Sequence, residues 1–216
     1  MVIQLEEFKM NRVGILDYGA TNIESVVRAF KRIGVESSIV GSTAEFANIS
    51  HLVLPGVGSY AYASRTLAER RLNQAITDFV SSGAPTLGIC LGLQLLLPKG
   101  IEFGNSSGLS LIEGKIEELP NYRAEFHDRK PRIGWYPVFS SPKSKSEFFA
   151  AFDGSFFYFA HSYFVRPTKI SVALNCSFQN IDIPVAVQFE NILGVQFHPE
   201  KSGNNGLKLL SRFVSL

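Results

Sequence analysis

The sequence is poor in cysteine, nearly balanced in charge and free of long apolar runs, and each property excludes a class of protein. Two cysteines among 216 residues cannot form a disulfide framework, so a reducing, cytoplasmic location is expected. A formal net charge of +2 gives no reason to expect a nucleic acid or a membrane surface as partner. No apolar run approaches the roughly 20 residues needed to cross a bilayer. The N-terminal MVIQLEEFKMNR also lacks the apolar core of a secretory signal.

The composition is that of a chain with a substantial core. Hydrophobic residues make up 45% of the sequence and charged residues 19%, which is typical of a folded globular protein. The length suits a single core, and no repeat or low-complexity linker divides the chain. Residues 1–216 are therefore predicted to form one domain.

The first half of the sequence alternates between strand-like and helix-like segments. Short apolar runs predict strands at 13–16, 35–40, 51–54 and 86–89, and helical periodicity follows at 23–33, 60–80 and 91–97. Thr21-Asn22-Ile23-Glu24 fits a capping box at the start of the first helix. This alternation predicts an α/β fold with a doubly wound, mostly parallel central sheet and flanking helices. The loops that begin at Asp17, Pro55 and Cys90 should then share the edge where such sheets bind ligands.

The second half is richer in aromatic and β-branched residues. SFFYFAHSYFV, ISVALNCSF and PVAVQFENILGVQFH predict antiparallel strands, with a turn at 190–191. A closing helix is predicted over 205–214. The expected fold therefore has an antiparallel β section in its C-terminal half.

Cys90 admits two interpretations. Free cysteines are usually inert core residues, and this interpretation serves Cys176 well. Cys90, however, lies between a predicted strand and a predicted helix in the stretch Gly88-Ile89-Cys90-Leu91-Gly92. Small residues on both sides permit the strained turn of a nucleophile elbow. The positive end of the following helix would favour a thiolate there.

A nucleophile needs a base, and His198 is the best candidate among the four histidines. His51 opens an apolar strand, His127 lies in the charged stretch EFHDRK, and His161 lies among apolar residues without a nearby carboxylate motif. His198 is followed by Pro199, which is expected to keep the backbone extended, so that Glu200 points the same way. Glu200 could then orient the imidazole toward Cys90, as in a catalytic triad.

These motifs resemble a known family. PTLGICLGLQLL, LPGVGSY and GVQFHPEKS are together similar to the class I (triad) glutamine amidotransferases. Asp17-Tyr18-Gly19, the Gly134-Trp135 pair and the stretch YFAHSY at 158–163 further resemble the glutaminase subunits of imidazole glycerol phosphate synthase. The resemblance begins near Arg12, so residues 1–11 are expected to be an N-terminal extension.

The resemblance implies a role for each matching residue. Cys90 would attack glutamine, His198 would move the proton and Glu200 would orient the imidazole. Backbone amides of Leu91 and of the 56–58 loop would form the oxyanion hole. The full set of substrate-binding and oxyanion residues is Gly56, Val57, Gly58, Leu91, Gln94, Glu102, Ser162 and Tyr163. From the residues alone, Gln94 could instead be an exposed polar residue on a short helix, and Glu102 could be a surface carboxylate.

The resemblance also implies a partner. A (β/α)8-barrel synthase (cyclase) subunit, expected in a heterodimer, would consume the ammonia to form imidazole glycerol phosphate and an aminoimidazole ribotide in histidine biosynthesis. Tyr158, His161 and Lys201 would lie along the partner interface and the ammonia path. No metal cluster is evident, GVGS at 56–59 lacks the lysine of a phosphate-binding loop, and no cofactor is expected.

Three positions depart from the family pattern and keep alternatives open. The family usually has glycine before the asparagine of the first loop, where this chain has Ala20-Thr21-Asn22, and Arg132 and Tyr136 stand where it usually has histidine and asparagine. One alternative is the same chemistry feeding a sugar-modifying amidotransferase partner in surface-polysaccharide biosynthesis. A second is a partner-free γ-glutamyl cysteine hydrolase, and a third is a subunit that keeps the fold without catalysis.

Overall fold

The structure is a computed structural model that describes residues 12–19, 22–102, 104–121, 129–168 and 171–216. Within these residues the strands are β1 (Val13–Leu16), β2 (Ser37–Val40), β3 (His51–Leu54), β4 (Thr86–Ile89), β5 (Lys99–Gly100), β6 (Ser106–Ser107), β7 (Gly114–Glu118), β8 (Arg132–Pro137), β9 (Phe139–Ser140), β10 (Phe156–His161), β11 (Tyr163–Pro167), β12 (Ser171–Phe178), β13 (Ile181–Phe189) and β14 (Ile192–Val195). The α-helices are α1 (Ile23–Arg32), α2 (Tyr60–Glu69), α3 (Leu72–Ser81), α4 (Leu91–Leu95), α5 (Glu147–Ala150) and α6 (Gly203–Val214). Two 3₁₀ helices span Thr43–Asn48 and Pro199–Lys201.

The central sheet is mixed, with a parallel half and an antiparallel half. Its strand order is β2-β1-β3-β4-β14-β13-β12-β9. The pairs from β2 to β14 are parallel, and those from β14 to β9 are antiparallel. The chain moves outward from β1 in both directions, as a doubly wound sheet does. The predicted fold class is therefore confirmed, including the antiparallel section in the C-terminal half.

The central strands are buried because their sequences are apolar on both faces. β1, β3, β4 and β14 are buried at every position, as expected for strands covered by helices on both sides. One core cluster contains most of the buried phenylalanines and packs against α1 and α6. The other packs against α2, α3 and α4. The prediction of one domain stays a prediction.

Several predicted elements differ in their bounds. The helix predicted over 60–80 is two helices, α2 and α3, because Arg71 adopts a left-handed conformation with φ 56°. The run SFFYFAHSYFV is two strands in different sheets: β10 pairs with β8, and β11 pairs with β7. The turn at 190–191 is confirmed, since Phe189 pairs with Ile192. Residues 1–11, Ala20, Thr21 and His127 lie outside the described residues, so the predicted extension and capping box are not described further.

The sheet brings the predicted functional loops to one edge. β1, β3 and β4 are parallel neighbours, and they end at Leu16, Leu54 and Ile89. The loops that follow them begin at Asp17, Pro55 and Cys90, as expected. β14 lies next to β4 with Val195 opposite Ile89, so the segment after β14 reaches the same edge. This pairing places His198 near Cys90, although the two are about a hundred residues apart in sequence.

Candidate active site

Cys90 lies on a sharp turn between β4 and α4. Its φ of 52° and ψ of −106° fall outside the regions that non-glycine residues favour, so the backbone is strained. The flanking glycines allow the tight packing that forces this turn. A Cβ on Gly92 would lie 1.9 Å from the Leu54 carbonyl oxygen, and one on Gly88 would lie 2.9 Å from the Leu93 amide nitrogen. The strand, turn and helix predicted around Cys90 are confirmed.

His198 and Glu200 form a buried pair next to this turn. Nδ1 of His198 lies 2.8 Å from Oε1 of Glu200, and both side chains are 1% exposed. The backbone does not follow the prediction, because Pro199–Lys201 forms a 3₁₀ turn rather than an extended segment. Proline fits the first position of such a turn, since its missing N–H needs no partner there. The turn still brings the carboxylate back onto the imidazole.

The charge on His198 depends on its two neighbours. Burial lowers the pKa of His198, but Cys90 and Glu200 raise it more, and together they raise it to about 10. Nε2 of His198 is buried and has no hydrogen-bond partner within the described residues other than the nearby Cys90 sulfur. The arrangement favours a protonated imidazole between the Cys90 sulfur and the Glu200 side chain.

Asn22 is a site residue that the sequence did not reveal. Its Nδ2 donates to Oε1 of Glu200 at 2.7 Å, the same oxygen that contacts His198. Asn22 has φ 79°, a left-handed conformation that asparagine tolerates better than most residues. The sequence pattern assigns this segment to a capping box and therefore does not predict a contact between Asn22 and Glu200. An asparagine in the loop after β1, at the edge that carries Cys90, was the available signal.

Gln196 is a second residue that was missed. It is fully buried, and its Nε2 lies 3.4 Å from the Cys90 sulfur. Its Oε1 lies 3.4 Å from Nε2 of Gln94, which also donates to the Tyr163 carbonyl at 3.3 Å. Gln94 is therefore buried, and the interpretation of it as an exposed polar residue is wrong. The two amides form a chain that ends on the sulfur of Cys90.

A cavity of about 210 Å³ opens beside Cys90. Its lining includes most of the residues predicted for substrate binding, namely Val57, Gly58, Leu91, Gln94, Glu102, Ser162 and Tyr163. His161 also lines it, together with Pro131, Ile133 and Ala160. The cavity is concave, and apolar and polar side chains both line it, which suits a small polar molecule.

The predicted oxyanion hole is occupied by the protein itself. The Leu91 amide donates to the Gly56 carbonyl at 3.4 Å, so the carbonyl stands where an oxyanion would. The buried Tyr18 hydroxyl donates to the Pro55 carbonyl and holds the preceding peptide. Burial, with a smaller effect of Cys90, raises the pKa of Tyr18 and keeps it protonated. In this conformation of the loop the Leu91 amide is therefore paired with the Gly56 carbonyl.

Glu102 has a structural contact as well as a place in the cavity. Its Oε2 accepts from the Tyr60 amide at 2.7 Å, at the N-terminus of α2. A carboxylate is favourable at this position because the helix end carries a partial positive charge. The side chain is half-buried, so Glu102 is not a freely solvated surface carboxylate.

The residues predicted for the partner interface lie on two sides of β10. Tyr158 and Lys201 face outward, with the Lys201 ammonium 5.9 Å from the Tyr158 ring centroid. Trp135 on β8 lies opposite Tyr158 and packs edge-on against its ring at 6.1 Å. His161 points inward and is only 6% exposed. Tyr158 and Lys201 thus lie on a surface, while His161 lies in the cavity wall.

The described residues contain no group of three or more histidine, cysteine, aspartate or glutamate side chains that could hold a metal ion. Among the helices of the same residues, none is long and apolar enough to span a bilayer.

Comparisons with known proteins agree with this fold. The family described as glutamine amidotransferase class-I matches residues 14–215. The imidazole glycerol phosphate synthase subunit HisH of Rhodopirellula baltica is 41% identical over 206 residues, covering 94% of this chain and 97% of the relative. The subunit of the same name from Geobacillus sp. (strain WCH70) is 39% identical, covering 94% and 96%.

A solved structure described as a glutamine amidotransferase superposes with a TM-score of 0.73. The superposition covers 94% of this chain and 99% of the other. Because the two sequences are only 17% identical, the similarity concerns the fold alone. The chain belongs to the class-I glutamine amidotransferase family. The family that the sequence motifs resembled is therefore confirmed.

Proposed function

We propose that this chain hydrolyses glutamine to glutamate and ammonia and supplies the ammonia to a synthase subunit that forms imidazole glycerol phosphate and an aminoimidazole ribotide in histidine biosynthesis. The observation that carries the proposal is the buried His198, held by Glu200 on one nitrogen and next to the Cys90 sulfur on the other. The names of the relatives from Rhodopirellula and Geobacillus support the choice of pathway.

The chemistry begins with the Cys90 thiolate, which attacks the carboxamide carbon of glutamine. A sulfur–carbon bond forms, and the carbonyl oxygen becomes an oxyanion. The His198 imidazolium gives its proton to the leaving nitrogen, so ammonia departs and a γ-glutamyl thioester remains. The neutral imidazole then takes a proton from water, which attacks the thioester and releases glutamate. Glu200 keeps the imidazole oriented through both steps.

Substrate binding is assigned to the cavity beside Cys90. Gln94, Glu102, Ser162 and Tyr163 line it together with Val57 and Gly58. Rotation of the Gly56–Val57 peptide would free the Leu91 amide for the oxyanion and add a second backbone donor. Loss of one oxyanion donor in other enzymes lowers kcat by about 10²–10³. The loop conformation described above therefore corresponds to a resting state with low activity.

The partner is assigned to the outer face of β8 and β10. Large apolar side chains are exposed there on neighbouring strands: Ile133 at 58%, Trp135 at 51% and Phe156 at 52%. Tyr158 and Lys201 complete this docking face. Exposed aromatic clusters of this kind favour protein interfaces. We assign the face to the (β/α)8-barrel synthase subunit of a heterodimer, in the cytoplasm.

The test is an assay of glutamate release by the chain alone, and with the synthase subunit and its ribonucleotide substrate. We expect the synthase subunit and its ribonucleotide substrate together to increase the rate of glutamate release. Cys90→Ser should abolish the activity, and Cys176→Ser is the matched control, because Cys176 is also buried but donates only to the Pro137 carbonyl among the contacts described for it. Equal activity of the two variants would overturn the catalytic assignment.

The alternatives correspond to other outcomes of the same assay. Stimulation by a sugar-modifying synthase instead of the histidine-pathway subunit would move the chain to another ammonia acceptor. Cleavage of γ-glutamyl peptides without any partner would identify a hydrolase.

A further inference from the structure

His161 is fixed in one tautomer by its surroundings. Its Nδ1 lies 2.8 Å from the Tyr163 carbonyl oxygen. A carbonyl can only accept, so Nδ1 carries the hydrogen and Nε2 is left with a lone pair. Nε2 is buried and has no hydrogen-bond partner within the described residues. His161 lines the cavity that Cys90 also lines, so an unused acceptor lies in the wall of the proposed glutamine site.

A buried cation lies on the other side of His161. Arg132 is directly opposite it on β8 and is 2% exposed. The guanidinium carbon lies 3.8 Å from the Tyr136 ring centroid and 5.5 Å from that of Phe159. No carboxylate of the described residues forms an ion pair with Arg132, and its Nε has no partner there. The aromatic rings hold the charge in place without neutralising it.

The groups around His161 keep its imidazole neutral. Burial lowers the pKa of His161 to about 4, and Arg132 and His198 contribute to the decrease against the opposing effect of the Tyr163 carbonyl. His161 therefore cannot take a proton from the reaction at neutral pH. It can only accept a hydrogen bond.

The leaving nitrogen of the proposed reaction is a donor without an assigned acceptor. The carboxamide nitrogen of glutamine carries two N–H groups, and ammonia carries three. We propose that Nε2 of His161 accepts an N–H of the glutamine carboxamide and then of the released ammonia, and that Arg132, directly opposite His161 on β8, is a positioning residue for this acceptor. This inference rests on the proposed function.

The proposal balances without a further proton acceptor. The carbon–nitrogen bond breaks, the nitrogen takes its proton from His198, and neutral ammonia leaves with a hydrogen bond to His161. The positive charge of Arg132 repels ammonium, whereas neutral ammonia is not repelled. The site thus favours the species that can act as a nucleophile in the partner.

Two amide substitutions test the acceptor position. In His161→Gln the side-chain oxygen can occupy the place of Nε2, whereas in His161→Asn the amide is too short and reaches only the place of Nδ1. The assay uses the complex with the synthase subunit and measures kcat for glutamate release and the ratio of synthase product to glutamate. His161→Gln should stay within about threefold of wild type, and His161→Asn should lose about tenfold in kcat with a lower product ratio.

Added ammonium salt provides the folding control. Product formation from ammonium should be the same in all variants if the complex assembles. Equal behaviour of His161→Gln and His161→Asn would overturn the acceptor role. If wild type itself shows no stimulation by the synthase, the proposed function fails instead, and the two failures are distinguishable.

Arg132 has a separate readout. Arg132→Met removes the charge but keeps an aliphatic chain, so His161 should become easier to protonate and the acid limb of kcat/KM should move up by about one pH unit. Arg132→Lys keeps the charge and should retain the wild-type limb. The groups that face His161 are Arg132, His198 and the Tyr163 carbonyl, and only the first is changed. An unmoved acid limb in Arg132→Met would overturn the positioning role.

Discussion

Replacing Cys90 with glycine is expected to leave the protein more stable than replacing it with alanine. Both substitutions remove the sulfur and its contact with Gln196, so they differ only by the Cβ methyl group that strains the backbone at this position. A non-glycine residue at φ 52° and ψ −106° carries strain of about 1–3 kcal/mol, and glycine relieves it. Glycine also loses about 0.5–1 kcal/mol through the greater freedom of the unfolded chain. The difference should favour Cys90→Gly by up to about 2.5 kcal/mol.

The measurement is urea unfolding of both variants, each of which is expected to be inactive. The control is Ala75→Gly in helix α3, where the backbone is unstrained and glycine should destabilise by about 1 kcal/mol. The sign of the glycine effect should thus be opposite at the two positions. If Cys90→Ala is as stable as Cys90→Gly or more so, the turn is not strained, and the reasoning that links the turn to an exposed nucleophile is refuted.

Three further predictions follow from the site. Asn22→Gly keeps the left-handed backbone but removes the donor to the buried Glu200 carboxylate. Hydrogen bonds to charged groups contribute about 1.5–3 kcal/mol, so kcat/KM for glutamine should fall at least tenfold. Unchanged kinetics would show that Asn22 has no role in the site. Gly92→Ala places a methyl group 1.9 Å from a backbone oxygen of β3; it should displace α4 and abolish glutaminase activity, and a fully active variant would contradict the packing described. Stability should fall as the pH drops from 6.5 toward 4, because His161 stays neutral in the fold while the unfolded chain binds a proton. The loss from His161 is about 3 kcal/mol. Urea unfolding should show a smaller loss in His161→Gln, where His51, whose pKa burial also lowers, still contributes in this way. His198 acts in the opposite direction, since its raised pKa gives stability that is present below 6.5 and lost as the pH rises toward 10.

The parallel half of the fold was predictable because it depends on local signals. Apolar runs such as 13–16 and 86–89 are buried on both faces, and glycines mark the turns after them. The edge shared by Asp17, Pro55 and Cys90 follows from the parallel arrangement alone. The break at Arg71 was not predictable, because the apolar periodicity continues through it and only one residue changes conformation.

The candidate triad was predictable for a different reason. Cys90, His198 and Glu200 carry chemistry that is unusual in an apolar context, so their pattern is visible in the sequence. Asn22 and Gln196 are common polar residues whose role appears only through long-range contacts with Glu200 and Cys90. The backbone of the 199–201 turn was predicted as extended, because proline permits both conformations and the packing decides between them.

The pairing of Ile89 on β4 with Val195 on β14 determines which insertions and deletions the protein can tolerate. Neighbouring strands lie about 4.8 Å apart, so the pairing of β4 with β14 brings the segments that carry the sulfur and the imidazole together whatever the length of chain between them. The surface loops between β5 and β13 can therefore change in length while the reacting pair keeps its alignment, as long as Glu102 and residues 161–163 keep their places in the cavity.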